Sequence, residues 1–198
     1  MKLYGMRGAG QIICALIIEE LGLECEAVFV DTAFRDRAAF RALSPYGRVP
    51  VLAPDGAPPI FESLAITLYL LEQDHDNRLS PAATDPAHGR FLSWMAYLAT
   101  TFYDACLRWH YPERYGEAAS VHAAAEAELD VIYDHLEKTP GEWLAGDRMT
   151  AADYYLYMLI GWDENRSGRL AKHPKINRIH AAIDALPSTR KVMAQHDD

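Results

Sequence analysis

The sequence predicts two domains of different class, a mixed α/β domain at residues 1–76 and an all-helical domain at residues 87–198. In the first, short strand-like stretches alternate with segments of helical periodicity, whereas strand-like alternation does not recur after Pro86. Residues 77–86 are predicted to be a linker, because residues 74–86 contain three Asp, two Pro and one Asn. The predicted architecture is a four-stranded mixed sheet with helices, followed by a helical bundle.

The first domain is predicted to have the order β-α-β-α-β-β-α. Ile12, Leu16 and Leu21 recur at helical spacing, and Pro54-Asp55-Gly56 is a turn sequence that predicts a hairpin between two short strands. The predicted strands are Lys2–Gly5, Ala27–Val30, Val49–Ala53 and Pro59–Phe61. The predicted helices are Gln11–Leu21, Asp36–Leu43 and Ser63–Leu71.

The second domain is predicted to contain only helices. Phe91, Trp94, Leu98 and Phe102 lie on one side of a long segment, and Thr150 with Asp153 resembles a capping box in which Asp replaces Glu or Gln. The predicted helices are residues 90–109, 117–137, 151–161, 176–185 and 188–194.

Composition narrows the class of protein. The 198 residues carry 19 Lys and Arg against 28 Asp and Glu, a formal net charge of −9, so nucleic acid and membranes are not expected as partners of the whole chain. Three cysteines without a C-x-x-C spacing and eight histidines without an H-x-x-x-H pair predict neither a disulfide framework nor a metal site. The N-terminus lacks the pattern of a signal peptide, and a reducing cytoplasm is the expected location.

Three segments of the first domain are candidates for binding. The turn Met6–Gln11 follows the first strand, and ligands of open α/β sheets lie at the carboxyl ends of strands. The Val49-Pro50 pair opens a strand, as either an ordinary trans bond or a cis bond that turns the Val49 N–H and C=O outward. Ser63 begins a helix beside Glu62, which suits the carboxylate and ammonium of an α-amino acid, although Ser63 could equally serve only as a helix cap.

These segments resemble the cytosolic glutathione transferases, and the resemblance extends over essentially the whole chain. It depends on P-x-G-x-V-P-x-L at Pro45–Leu52, on Glu62-Ser63, and on L-x-G-D-x-x-T-x-A-D at Leu144–Asp153, in the family's order and spacing. The opening Met1–Tyr4 and the region of Trp94 and Tyr103 are similar to bacterial beta-type members.

The resemblance implies a thioredoxin-like first domain that binds glutathione as co-substrate. By similarity, Val49 pairs its backbone with the cysteinyl part across a cis Pro50, Glu62 and Ser63 bind the γ-glutamyl end, and Arg35 meets the glycyl carboxylate. It also implies a homodimer with the site near the subunit interface.

The sequence departs from the family at the thiol. Members usually carry Tyr, Ser or Cys near the first turn, whereas this chain has Ala9-Gly10-Gln11, with Gly10 where beta-type members place Cys. Cys14 lies one helical turn further and is expected in the core, which disfavours disulfide exchange. Gly10 and Gln11, through backbone N–H groups and the Gln11 amide, are therefore the predicted thiolate-stabilising residues, with Tyr103 of the second domain as an alternative.

The predicted electrophile site is formed by Tyr103, Leu107 and His110, near the end of the long helix. Tyr103 aligns with a His of beta-type members that faces the electrophile. The alternative is that this aromatic run packs in the core or at a dimer contact.

Three functions remain open from the sequence. The leading one is an enzyme of detoxification type that conjugates or exchanges glutathione with a small hydrophobic electrophile. A second possible function is that of a glutathione-binding protein with little turnover, which acts as a ligand carrier or interaction module. This possibility follows from the absence of a hydroxyl that could bind the thiol. The third is a glutathione-dependent isomerase or ether-cleaving enzyme. The electrophile itself is not encoded in any recognisable motif.

Overall fold

A computed structural model describes residues 1–196, which fold as two compact units. The first unit contains Met1–Arg78 and a C-terminal segment that begins at Ala185. The second unit contains Leu79–Asp184.

The first unit is built on a mixed sheet with the strand order β2-β1-β3-β4. β1 pairs parallel with β2 and antiparallel with β3, and β3 pairs antiparallel with β4, so the predicted four-stranded sheet and its hairpin are confirmed. The elements are β1 (Lys2–Gly5), α1 (Gln11–Leu21), β2 (Glu26–Phe29), α2 (Thr32–Arg35), α3 (Ala38–Arg41), β3 (Val51–Ala53), β4 (Ile60–Phe61) and α4 (Ser63–Leu71).

The helix predicted at residues 36–43 is replaced by two shorter ones. Asp31 caps α2, because its carboxylate accepts a 2.6 Å hydrogen bond from the Phe34 N–H. Arg37 then takes extended dihedral angles, which ends the helical run before α3 begins. Arg35 is therefore the last residue of α2.

The second unit is helical throughout its regular structure. Its elements are α5 (His88–Tyr97), a π-helical turn (Leu98–Phe102), α6 (Tyr103–His110), a 3₁₀ turn (Pro112–Arg114), α7 (Ala118–Glu137), α8 (Ala151–Trp162), α9 (Arg166–Lys172) and α10 (Pro174–Asp184). The predicted helix 90–109 is therefore continuous but contains a π turn, and α9 was not predicted. Residues 151–160 of α8 are all buried, so this helix forms the centre of the unit.

The C-terminal segment packs with the first unit, although residues 87–198 were predicted to form one helical domain. It contains α11 (Pro187–Met193), which lies on α1. Lys191 Nζ forms a 2.8 Å ion pair with Glu19, Ser188 Oγ donates to Glu20, and Val192 is buried. The structure therefore groups the segment from Ala185 onward with the first unit, because the apolar surface of α11 is buried against α1.

Candidate active site

Strand register brings the three candidate segments to one edge of the sheet. Tyr4 of β1 pairs with Val51 of β3, and Val51 pairs with Phe61 of β4. Because β3 runs antiparallel to both neighbours, the carboxyl end of β1, the start of β3 and the carboxyl end of β4 coincide there. The turn after β1, the Val49–Pro50 bond before β3 and Glu62 after β4 therefore lie at the same edge.

The turn between β1 and α1 is held by its own hydrogen bonds. The Ala9 N–H donates to the Met6 carbonyl at 3.0 Å, and the Gln11 side-chain amide donates to the same oxygen. Gly8 adopts φ +69°, a left-handed conformation that glycine takes without steric cost. Gln11 is only 3% exposed and packs against Gly5, where a Cβ would lie 2.3 Å from Gln11 Cγ. Gly5 is thus needed for Gln11 to support the turn.

Two backbone donors at the start of α1 are available for a ligand. Within the described residues, the hydrogen bonds do not use the N–H groups of Gly10 and Gln11, and no side chain caps this helix. Both N–H groups belong to the first turn of an α-helix, where the macrodipole favours negative charge. One hydrogen of the Gln11 amide is used by Met6, so the backbone N–H groups are the principal donors of the turn.

The loop before β3 presents unused backbone groups. The Val49–Pro50 bond is cis, which is the alternative that the family resemblance implied. Ser44 orders the loop, since its hydroxyl donates to the Arg48 carbonyl at 2.9 Å and accepts from the Arg48 N–H at 3.0 Å. Among the described residues no hydrogen bond uses the N–H or C=O of Val49, which leaves both able to pair with an extended peptide.

Glu62 and Ser63 lie at the start of α4. Glu62 has φ 69° and ψ 122°, a conformation that costs free energy in a residue with a side chain and that is frequent at functional sites. Its side chain is exposed and takes part in no ion pair of the described residues. Ser63 is 7% exposed, and its carbonyl accepts from Thr67 Oγ1 at 2.7 Å.

Arg35 keeps a donor unsatisfied at the end of α2. Its Nη2 donates to Thr32 Oγ1 at 3.3 Å, whereas its buried Nε has no hydrogen-bond partner. The backbone nearby is close-packed, because a Cβ at Gly47 would lie 3.2 Å from the Arg35 carbonyl. An unpaired buried guanidinium nitrogen costs free energy, and an anionic group of a ligand would satisfy it once the side chain turns toward that ligand.

The first unit offers no reactive thiol at this edge. Cys14 is fully buried in α1, where its Sγ lies 3.8 Å from the Ser63 carbonyl and 3.9 Å from Thr67 Oγ1. Burial raises the pKa of the Cys14 thiol to about 12, so it stays protonated at neutral pH. Cys14 therefore serves packing, as the sequence indicated.

The second unit brings the three predicted electrophile-site residues to one face of α6. Tyr103, Leu107 and His110 follow each other at helical spacing of four and three residues. Trp162 at the end of α8 joins this face, with its ring edge-to-face with Tyr103 at 4.8 Å and its carbonyl 2.7 Å from His110 Nε2. Sequence reasoning missed Trp162, because a single aromatic residue at a helix end carries no signal of its partners.

Tyr103 directly follows the π-helical turn. Such turns are rare and occur often at functional sites, since they change the direction of the side chains that follow. Tyr103 is only partly buried, and this conformation places it against Trp162.

Two further features concern metal sites and membrane spans. Across residues 1–196, no three or more His, Cys, Asp or Glu side chains cluster in a way suited to a metal ion. In the same residues, none of the helices combines the length and apolar character needed to span a bilayer.

Comparison with known families gives matches in both units. The glutathione S-transferase N-terminal domain model matches residues 1–72, and a glutathione S-transferase C-terminal domain model matches residues 102–196. Glutathione S-transferase 3 of Zea mays is 31% identical over 212 residues, covering 98% of this chain and 93% of that protein.

Solved structures match along the full length. A bacterial beta class glutathione S-transferase of Sphingomonas chungbukensis superposes with a TM-score of 0.87 at 26% identity, over 100% of this chain and 99% of that one. A sphingomonad glutathione S-transferase complexed with glutathione gives a TM-score of 0.86 at 28% identity, over 99% and 98% of the two chains.

Proposed function

The chain belongs to the glutathione S-transferase family, and we propose that it joins glutathione to a small hydrophobic electrophile, with glutathione bound at the sheet edge of the first unit. The observation that carries this proposal is the convergence of unused backbone donors and acceptors at that edge. Gly10, Gln11 and Val49 all present groups there that no described residue satisfies. A ligand with a peptide backbone and a thiolate would satisfy them together.

Each part of glutathione has a matching group in the first unit. The N–H and C=O of Val49 pair with the cysteinyl residue as a short antiparallel contact. Glu62 and Ser63 bind the ammonium and carboxylate of the γ-glutamyl end, since a carboxylate and a helix start are complementary to an α-amino acid. Arg35 binds the glycyl carboxylate once its guanidinium, whose buried Nε has no partner in the free protein, turns toward the ligand.

The thiolate is stabilised by the N–H groups of Gly10 and Gln11 and by the positive end of the α1 dipole. A free thiol has a pKa near 8.5, and ionisation at neutral pH requires lowering it by about one to two units, or about 1.4–2.8 kcal/mol. Two backbone donors with the dipole supply the lower part of that range, which predicts modest turnover. The thiolate then attacks the electrophile and forms the carbon–sulfur bond of the conjugate. In an addition, the neighbouring atom of the former double bond takes a proton from solvent, whereas in a displacement the leaving group departs with the electron pair of its bond to carbon.

The electrophile contacts the face formed by Tyr103, Leu107, His110 and Trp162. This face combines two aromatic rings with an aliphatic side chain, a surface suited to a small hydrophobic molecule. Tyr103 Oη is the alternative donor to the thiolate, and the experiment below separates it from the backbone groups.

Titration of the bound glutathione thiol by its ultraviolet thiolate absorbance tests the assignment. We expect a pKa about one unit below that of free glutathione in the wild type, unchanged in Tyr103→Phe. Gly10→Pro removes one donor and suits the observed φ of −64°, so it should raise the bound-thiol pKa, whereas Gly10→Ala retains the N–H and controls for the added volume. If Tyr103→Phe alone returns the pKa to the free value, the hydroxyl and not the backbone is the donor.

A second candidate function follows from the same turn. Because Ala9-Gly10-Gln11 lacks a hydroxyl or thiol, a glutathione-binding protein with little turnover is the alternative. A bound thiol that titrates like free glutathione, together with normal binding affinity, would favour this carrier role. Mass balance of glutathione with the product separates conjugation from isomerase or ether-cleaving chemistry, because an isomerase regenerates its glutathione.

Family membership further supports a homodimer located in the cytoplasm and a role in detoxification. Sedimentation equilibrium of the purified chain tests the dimer, with a monomer mass as the contrary result. Fractionation of the producing cells tests the location.

A further inference from the structure

The end of the described chain contacts the turn that contains the proposed thiolate donors. The backbone N–H of Gly8 donates to His196 Nδ1 at 3.1 Å, and Arg7 Nη1 donates to the Gln195 carbonyl at 2.8 Å. The rings of His196 and Phe29 meet edge to face at 5.4 Å, and the Arg7 guanidinium lies 5.0 Å from the centre of the Phe29 ring. Two adjacent residues of the turn are thus bound by two adjacent residues of the C-terminal segment.

This segment is itself anchored along α1. The start of α11 meets the end of α1 through Ser188 and Glu20, whereas residues 195 and 196 reach the turn before α1. The segment therefore runs antiparallel to α1 and spans it from one end to the other. The backbone N–H of His196 donates to the Met193 carbonyl at 2.8 Å. This hydrogen bond holds the backbone that carries the imidazole at the end of α11.

We propose that His196 is a positioning residue for the transfer reaction, which holds the turn between β1 and α1 in the conformation that binds the thiolate. The inference depends on the proposed function, since it assumes that the sulfur lies against Gly10 and Gln11. Nδ1 accepts from Gly8, so the neutral imidazole carries its proton on Nε2. Gly8 has the left-handed φ that lets the turn reverse, and holding its N–H restrains the peptide groups that follow, which carry the N–H groups of Gly10 and Gln11.

Preorganisation of the turn connects His196 to catalysis. Donors that are already aimed at a developing or stored negative charge stabilise it without reorganisation when the ligand binds. The turn is a glycine-containing loop with exposed residues at positions 7 and 8, so its own hydrogen bonds leave that outer side unsupported. The C-terminal segment supports this side, while Met6 and Gln11 support the inner side.

Three variants test the role of His196. His196→Ala removes the acceptor, His196→Asn places an amide oxygen close to the position of Nδ1, and Arg190→Ala is the control, an exposed side chain of the same segment. The readouts are amide hydrogen exchange at Gly8 without glutathione, the pKa of the bound thiol, and kcat/KM with a general electrophile against the glutathione Kd.

We expect His196→Ala to speed exchange at Gly8, to raise the bound-thiol pKa and to lower kcat/KM about 3- to 10-fold, the effect of one hydrogen bond. The glutathione Kd should change less than about two-fold, because Val49, Glu62 and Ser63 are untouched. His196→Asn should restore most of the loss, and Arg190→Ala should resemble the wild type in every readout.

The outcomes separate this inference from the proposed function. A wild type that neither binds glutathione nor lowers its thiol pKa would overturn the proposed function and, with it, the role of His196. A normal wild type with unchanged Gly8 exchange in His196→Ala would overturn this inference alone. Faster exchange of the Gly8 amide in His196→Ala, without a change in the pKa of the bound thiol, would show that the contact has no influence on the sulfur. This result would also overturn the role of His196.

Discussion

Asp153 makes the start of α8 sensitive to pH. Its carboxylate accepts hydrogen bonds from the Thr150 N–H at 2.8 Å and from the Leu144 N–H at 3.0 Å, and the side chain is completely buried. Burial is the largest influence on this group and raises the pKa of Asp153 to about 6, from an ordinary value of 3.8. The two N–H donors oppose this shift, and they do not cancel it.

The sign of the effect on stability follows from proton binding. Between pH values near 3.8 and 6 the folded state holds a proton on Asp153 that the unfolded state has released. The free energy of unfolding therefore falls as pH rises through that window, and the loss is complete above about pH 6. A difference of about two pKa units corresponds to about 3 kcal/mol.

Asp153→Asn replaces the titratable carboxyl with an amide, which keeps one oxygen acceptor for the N–H groups of Leu144 and Thr150. We expect the wild type to lose about 3 kcal/mol relative to Asp153→Asn as pH rises from about 4 to about 7. Urea unfolding of both proteins across this range gives the difference, in which the titration of all other groups cancels. Asp147→Asn is the matched control, since Asp147 is an exposed carboxylate of the same loop. Parallel curves for the wild type and Asp153→Asn would refute the reasoning.

Four further variants address the site and the core. Glu62→Gln and Ser63→Ala should each weaken glutathione binding by about 1–3 kcal/mol in calorimetry, because each leaves a polar group of the ligand unsatisfied, and unchanged affinity in both would remove them from the site. Arg169→Met should lower the free energy of unfolding, measured in urea, by about 3–5 kcal/mol. The substitution leaves the buried Asp163 carboxylate, which lies 2.7 Å from the guanidinium, without a counter-charge. A loss below about 1 kcal/mol would contradict this expectation. Cys14→Ala should keep kcat/KM within about two-fold, because its thiol is buried and protonated, and abolished activity with intact folding would assign it a chemical role.

The sheet and the long helices were predictable because their signals are local. Helical spacing in residues 11–21 and the turn sequence at residues 54–56 specify an element and its boundary without knowledge of its partners. The short helix α9 gives no such signal, since Arg166–Lys172 has a single Leu and a central Gly. It is stabilised instead by tertiary contacts, among them those of Arg169 with Glu126 and Asp130.

The candidate binding segments could be located in the sequence, and their role in binding stays a prediction, whereas their detailed contacts could not be predicted. Residue types at Val49, Glu62 and Ser63 indicate a peptide-like ligand, and strand register then brings them together. For Gln11 the sequence identified the residue and not its partner, because one side-chain amide could reach the ligand or the Met6 carbonyl. Likewise, the periodicity of α11 predicts an amphipathic helix without indicating that its apolar face lies on α1.

Because α11 lies far from α1 in the sequence, the first unit is completed late in translation. The ribosome completes the sheet and α1–α4 at Leu71, yet the helix that covers one side of α1 begins only at Pro187. Until then α1 lacks its contacts with Ser188, Lys191 and Val192, so the nascent first unit carries an incompletely covered surface. The first unit therefore combines early residues with residues that are synthesised much later, and we expect a polypeptide terminated at Arg78 to be recognised by chaperones or proteases.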